Sequence, residues 1–240
     1  MNVQIAFYDL DRTVTQRPTW TALLLFSAVR IAPWRIGLLP AVALAAVGRK
    51  MGLLSRDRLK EVMHAMMLGR TMSDGMEAEL AGAFAKRTLA RNVRPGARTR
   101  IAADVRAGYR IVLATAAHRF YAEPIAHGLG IADVIATEAT RSPDGALGSR
   151  LSGSNVYGRA KLAAVQEWLA RQGVSREEAS IRFYSDHITD VPCLDFADEP
   201  FVVNPGRRFR AIAQARGWPV LDWSLTTAGA KPDGEVACAP

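Results

Sequence analysis

The chain of 240 residues carries 31 Lys and Arg against 23 Asp and Glu, a formal net charge of +8, with 49% hydrophobic residues and mean hydropathy near zero. That length suits one sizeable domain, or a core with one inserted subdomain, and the balance suits a globular protein with ample core. Cys193 and Cys238 form neither a disulfide framework nor a metal-ligand spacing. "MNVQIAFYDL" has no basic region followed by an apolar run, so it does not read as a signal peptide and a cytoplasmic location is expected.

In chain order, "VQIAFYDL" is an apolar stretch of strand length that ends in Asp9-Leu10-Asp11. From Thr19 to about Ala90 the composition turns Ala/Leu/Met-rich. "TWTALLLFSAVRI" and "WRIGLLPAVALAAVGRKMGLL" read as helices broken near Pro33 and Pro40. "SRDRLKEVMHAMMLG" and "SDGMEAELAGAFAKRTLA" follow, capped by Ser55 and Ser73. A four-helix unit is predicted here. The apolar runs fall short of the ~18–20 residues needed to cross a bilayer. Packing against each other inside the unit is their expected fate; lying on a membrane surface is the alternative.

From Arg94 helices and strands alternate. Helices are predicted over "RPGARTRIAADVRAG", "FYAEPIAHGLG", "GRAKLAAVQEWLARQG" and "RRFRAIAQARG". Strands are predicted over "YRIVLAT", "DVIAT", "SIRFYSD", "PFVVN" and "WPVLDW", with a hairpin-like stretch at "SPDGALGSRLSGSN". The alternation implies an α/β fold, a Rossmann-like parallel sheet covered on both faces. The expected division is a core of residues 1–14 and 94–223, a helical cap of 15–93, and a loose tail of 224–240. Residues 20–100 hold fourteen Lys and Arg against five Asp and Glu, so all the excess positive charge lies in the cap and its flank. Such a patch favours an anionic partner, or is a solvated helix face.

Ligands of an open parallel sheet bind beyond the carboxyl ends of its strands. Those ends deliver Asp9 and Asp11, then Thr115, then Asp186 with Asp190 one turn on, while Lys161 stands near the start of a following helix. Carboxylates, an ammonium and a hydroxyl suit phosphoryl transfer assisted by a hard cation such as Mg²⁺. Asp9 can attack phosphorus, and Asp11 can donate a proton to the leaving oxygen and then take one from water.

"DLDRT", "LAT", Lys161 and "SDHITD" together resemble the four ordered motifs of the haloacid dehalogenase (HAD) superfamily of phosphatases. The likeness runs from residue 1 to about Trp223 and is nearest to the phosphoserine-phosphatase-like branch, whose helical cap lies between the first and second motifs. The resemblance implies Asp9 as nucleophile and Asp11 as acid/base, with Mg²⁺ held by Asp9, the Asp11 carbonyl and Asp186. It implies Thr115 and Lys161 at the phosphoryl group, with Arg12 and Ala116 beside them at the substrate, and Asp190 and His187 in support. Arg12 replaces a residue that is small in many members, and His187 one that is often Ser. His118 is a candidate for the crevice; His64 and His127 read as ordinary helix residues.

Pro18 and His64 stand where phosphoserine phosphatases grip the amino acid head group, which turns the reading toward a small or lipid-like phosphomonoester. Phosphoserine phosphatase proper is the alternative. Peripheral contact with the inner face of an anionic membrane is a possible partner role, and no nucleic acid is expected. A non-catalytic basic binding module would explain the cap charge but not the crevice set. A carbon–halogen hydrolase is disfavoured by Asp11 and Asp186.

Overall fold

The computed structural model describes residues 2–224; the predicted tail, from residue 225 on, lies outside them. The elements in order are β1 (Val3–Tyr8), α1 (Thr19–Ile31), α2 (Leu39–Lys50), α3 (Arg56–Met67), β2 (Thr71–Met72), α4 (Asp74–Arg91), α5 (Pro95–Arg106), β3 (Arg110–His118), α6 (Arg119–His127), β4 (Asp133–Arg141), β5 (Leu147–Ser152), α7 (Arg159–Arg171), β6 (Ala179–Ser185), α8 (Val191–Phe196), β7 (Glu199–Val203), α9 (Arg207–Ala215) and β8 (Val220–Leu221). They build one α/β fold around an eight-stranded sheet of order β2-β5-β4-β3-β1-β6-β7-β8. The six strands from β4 to β8 through β1 pair in parallel, and the β5 and β2 edge is antiparallel.

β1 is central and buried on both sides, which is why its sequence reads as an unbroken apolar run. Successive side chains alternate between faces. Ile5 and Phe7 join Val165, Trp168 and Phe209 under α7 and α9, while Ala6 and Tyr8 join Ile101, Leu113 and Tyr121 on the other side.

A buried polar knot pins that second side. The Asp104 carboxylate of α5 accepts from the hydroxyls of Tyr8 (2.5 Å) and Tyr184 (2.9 Å) and from Arg182 (2.7 Å), and Arg100 lies 3.4 Å away. Burial and the facing carboxylate push both phenols above their ordinary range. Removing one partner of such a network leaves the others desolvated and unpaired. Asp104→Ala is therefore expected to lower stability by about 3–5 kcal/mol, read as a shifted urea midpoint with an unchanged slope.

The helical segment between β1 and α5 leaves and rejoins the sheet at one place. Thr15 and Val93 form an antiparallel bridge, flanked by Gln16 N donating to Asn92 O (2.7 Å) and Arg94 N donating to Val14 O (2.9 Å). Four α-helices occur here, joined by a 3-10 turn over Pro33–Leu38 in place of a helix start at Trp34. The strand β2 lies where only helix and loop were expected, and it latches the segment to β5.

Ser55 caps α3 through a bond from Arg58 N, as its sequence suggests, but Ser73 makes no side-chain bond at the start of α4. Glu77 in the first turn of that helix is buried in a bidentate contact with Arg141. "WPVLDW" shrinks to the two residues of β8, and the last motif is followed by an unforeseen short helix, α8. "DVIAT" extends to Arg141, so the hairpin is β4–β5 with its turn at Ser142–Gly145. The expectation that the apolar faces pack inside the unit holds for α1, whose Leu23, Leu24 and Ala28 are buried in the core. It fails for most of α2, which has no buried residue and packs only Val42 against that core.

Candidate active site

β1 runs out at Asp9, whose N–H donates to Tyr184 O (3.0 Å), and the chain then makes one wide turn over residues 10–14. Val14 N donates to Asp9 O and Thr15 N to Leu10 O, an i→i+5 spacing that swells the turn. Arg12 sits at φ 62°, a left-handed conformation that a residue with a Cβ seldom adopts and that marks stored strain.

The turn aims Asp11 at the start of α1. Pro18 precedes that helix and has no capping group, so the Asp11 Oδ1 accepts from both the N–H and the hydroxyl of Thr19, at 2.7 Å each. Burial pushes the Asp11 carboxyl up, against these two bonds.

α7 begins at Gly158, whose φ of 60° and ψ of −126° suit a residue without a Cβ. The entry angle turns the first-turn Lys161 inward. Its Nζ donates to Asp9 Oδ1 (2.7 Å) and Asp190 Oδ2 (2.6 Å), with Lys161 only 2% exposed. Ser185, the last residue of β6, donates its hydroxyl to Asp190 (2.7 Å). Thr13 of the first motif lies 3.1 Å from Asp9 Oδ2 and 3.4 Å from Asp186 Oδ1, and accepts from Asp186 N at 3.0 Å. One hydroxyl thus ties the first motif to the last.

Charge in this cluster does not balance. Asp9, Asp186 and Asp190 face a single ammonium, that of Lys161. Burial works against that ammonium, but Asp190 and Asp9 outweigh it and hold its pKa above the lysine range. Burial pushes Asp9 up, Lys161 opposes, and Asp190 and Asp186 reinforce; the 2.7 Å contact favours the ionised pair. Burial and the nearby Asp190 push Asp186 up to about 6. Among the described residues no three His, Cys, Asp or Glu side chains form a ready metal cluster. The donor chemistry still fits a hard cation. Asp9 and Asp186 offer only oxygen, share the Thr13 bridge, and carry an excess of negative charge that a cation would relieve.

The nine residues given a site role in the sequence line one cleft of about 220 Å³: Asp9, Asp11, Arg12, Thr115, Ala116, Lys161, Asp186, His187 and Asp190. The crevice candidate His118 does not line it and is buried instead. Thr115 lies in β3 two residues beyond its last pairing with β1, and its hydroxyl accepts from Ala117 N (3.0 Å). His187 is exposed and caps the following turn through Thr189 N, with its ring 6.2 Å from that of Tyr157.

Sequence reasoning passed over Thr13, although it stands inside the quoted motif. It also passed over Lys60, one helical turn beyond Arg56 on α3. Lys60 is buried and donates to Ala116 O (2.6 Å) and Asn155 Oδ1 (3.2 Å); burial pulls its pKa down to about 7, against Asp57 and Asp11. His64 is not an ordinary helix residue. It is buried beside His118, their rings 5.5 Å apart, and His118 packs 4.9 Å from Trp20. Burial pulls His64 down to about 4 and His118 well below its ordinary value, so both stay neutral at physiological pH. His127 is exposed at the end of α6.

A second chamber of about 480 Å³ opens beside the cleft and shares Asp11, Arg56 and Ala116 with it. Arg49, Lys50 and Lys60 add positive charge to its wall, and Trp20, Leu59 and Met63 add apolar surface.

Residues 6–195 match the family described as haloacid dehalogenase-like hydrolase. The chain belongs to that family. Within it, a histidinol-phosphatase of Neisseria meningitidis is 25% identical over 229 residues, covering 91% of this chain and 98% of that protein. A protein of unknown function from Bordetella pertussis has a crystal structure that superposes with a TM-score of 0.84 at 26% identity, over 93% of this chain and all of that one. A phosphoserine phosphatase solved as a phospho-aspartyl intermediate analogue shares the fold, with a TM-score of 0.61 at 13% identity over 94% and 95% of the two chains. This HAD hydrolase is a phosphoric monoester hydrolase of the phosphoserine-phosphatase-like branch.

Proposed function

We propose that this HAD phosphatase hydrolyses a small or lipid-like phosphomonoester in the cytoplasm through a phosphorylated Asp9. The observation that carries the reading is the contact of Lys161 with Asp9 and Asp190 in a buried cleft that also holds Asp11 and Thr115. Asp9 attacks phosphorus, and the leaving oxygen takes its proton from Asp11, whose raised pKa suits an acid. Water then attacks the phosphoenzyme and gives its proton back to Asp11, which frees Asp9 and inorganic phosphate. Lys161 and the Thr115 hydroxyl bind the phosphoryl oxygens, with Arg12 and Ala116 at the substrate. Asp190 holds Lys161 in place, and His187 orders the turn that carries Asp190. Mg²⁺ held by Asp9, the Asp11 carbonyl and Asp186 supplies positive charge where the transferring group gathers negative charge. In this reading residues 15–93 act as a cap over a core of 1–14 and 94–223, and exclude water during transfer.

The chamber beside the cleft takes the leaving group. Arg49, Lys50, Arg56, the partly charged Lys60 and apolar walls face one carboxylate, Asp11, so the chamber suits an apolar or anionic alcohol better than one that bears an ammonium group. The likeness to a histidinol-phosphatase favours a second reading, histidinol phosphate, whose ammonium would meet Lys60 and Arg56.

One experiment tests both: steady-state rates on phosphatidylglycerophosphate, histidinol phosphate and phosphoserine, each with Mg²⁺ and with EDTA. Turnover is expected only with Mg²⁺, with the highest kcat/KM on the lipid-like ester. Undiminished rates in EDTA would rule out the metal-assisted reading. A preference for histidinol phosphate would replace the lipid-like substrate.

A further inference from the structure

A helix that packs on a core turns its apolar side inward and its polar side to water. In α2 the inner side is apolar, with Val42 packed against the core, but the outer side is apolar too. Pro40, Ala43, Leu44 and Val47 stand at i, i+3, i+4 and i+7, all exposed, and form one outward stripe without a polar side chain. The stripe continues past the helix into Met51 and Leu53, 69% and 73% exposed. Val29 of α1 and Trp34 of the 3-10 turn, 64% and 69% exposed, belong to the same segment. Of the twelve large hydrophobic side chains exposed among the described residues, nine fall between Leu25 and Leu53. A concentration of this kind marks an interaction surface.

Charge identifies the occupant. From Arg12 to Arg56 the chain has seven Lys and Arg and no Asp or Glu. Arg49 and Lys50 end α2, exposed, beside the apolar stripe. The matching surface must accept apolar side chains and carry negative charge. A second copy meets the first condition and fails the second, because an isologous contact sets the same cations against each other. An anionic bilayer meets both: apolar residues enter the acyl boundary and the cations rest among the headgroups. No helix among the described residues is long and apolar enough to cross a membrane, and an apolar stripe flanked by cations is the pattern of a helix that lies in the plane of the interface.

We propose that α2, the 3-10 turn before it and the outer face of α1 dock onto an anionic lipid bilayer. Arg49 and Lys50 also line the leaving-group chamber, so docking turns the mouth of that chamber toward the headgroups. A phosphomonoester held in the bilayer then reaches the cleft without leaving the surface. That last consequence rests on the phosphatase reading; the docking does not.

The test is co-sedimentation of the full chain with vesicles of phosphatidylcholine alone and of phosphatidylcholine with phosphatidylglycerol, at low and high salt. Binding is expected to the anionic vesicles only, and to weaken with salt. The double variant Leu44→Glu, Val47→Glu is expected to bind about tenfold more weakly or worse, because two apolar side chains no longer enter the lipid. It keeps its thermal transition and its hydrolysis of p-nitrophenyl phosphate, since neither residue lines the cleft or the chamber. Wild-type protein that stays in the supernatant with both vesicle types would overturn the proposal, as would a double variant that binds like wild type. A wild-type dimer that the double variant dissolves would assign the face to a second copy instead. Binding without any phosphatase activity would overturn the phosphatase reading and leave the docking face standing.

Discussion

Asp9→Asn is expected to bring turnover of p-nitrophenyl phosphate below about 1% of wild type while the fold survives. The amide has nearly the shape of the carboxylate: its oxygen can keep the bond from Lys161, at 2.7 Å in the native chain, and its NH2 can donate to the Thr13 hydroxyl, which now lies 3.1 Å from Asp9 Oδ2. As a nucleophile toward phosphorus it is far weaker. Lys161 keeps Asp190 at 2.6 Å, so the buried ammonium retains a counter-charge and the cleft holds together. The measurement is kcat beside a thermal melt. Residual turnover well above that level, in a variant with a native melt, would mean that Asp9 is not the group phosphorylated.

Lys161→Met has the second large effect, and it reaches stability as well as rate. The thioether fills most of the space but leaves Asp9 and Asp190 buried without their shared cation. Breaking a buried ion pair by deleting one partner lowers stability by about 3–5 kcal/mol at neutral pH. The sign of its pH dependence follows from linkage. Without Lys161 the folded-state pKa of Asp9, already raised by burial, rises further above the unfolded value of about 4. A group of this kind binds more protons folded than unfolded, so stability falls as pH rises above that value. The deficit against wild type is therefore expected to be smallest near about pH 4 and largest above about pH 7, read from paired melts across that range. Turnover should fall by about a hundredfold or more, because the charge aimed at the phosphoryl oxygens is lost. A deficit that is flat with pH would show that Lys161 stabilises the fold through packing rather than through charge.

The cleft residues were legible because strand ends of a parallel sheet all open on one edge. Once β1, β3 and β6 are read from their apolar runs, Asp9, Thr115 and Asp186 must lie near one another. Lys161 needed one step more, the placement of a helix start that Gly158 fixes. Thr13 was hidden because a Thr after two carboxylates reads as turn chemistry, whereas its bridge to Asp186 spans 173 residues of sequence.

Lys60 and His64 were missed for a different reason. On an isolated helix they read as a solvated lysine and an unremarked histidine, and only the closure of α3 over Ala116 and Trp20 buries them. The outward face of α2 misled by its composition. Ala, Leu and Val at helical spacing normally signal a core, and nothing in the period says which way the stripe points. Tertiary contacts likewise overrode the local signal at Thr71–Met72, where pairing with β5 makes a strand of a connecting loop.

The central claim, covalent transfer to Asp9, is open to direct chemical capture. The enzyme is mixed with excess phosphomonoester and Mg²⁺, quenched in acid within the first turnovers, and reduced with borohydride, which converts an acyl phosphate to the alcohol. Mass spectrometry of the peptides then reads which carboxylate was phosphorylated. The expected result is homoserine in place of Asp9, and in its place alone, in wild-type protein, with none in Asp9→Asn. An active enzyme in which Asp9 stays unmodified, or in which another carboxylate is reduced, would contradict the account.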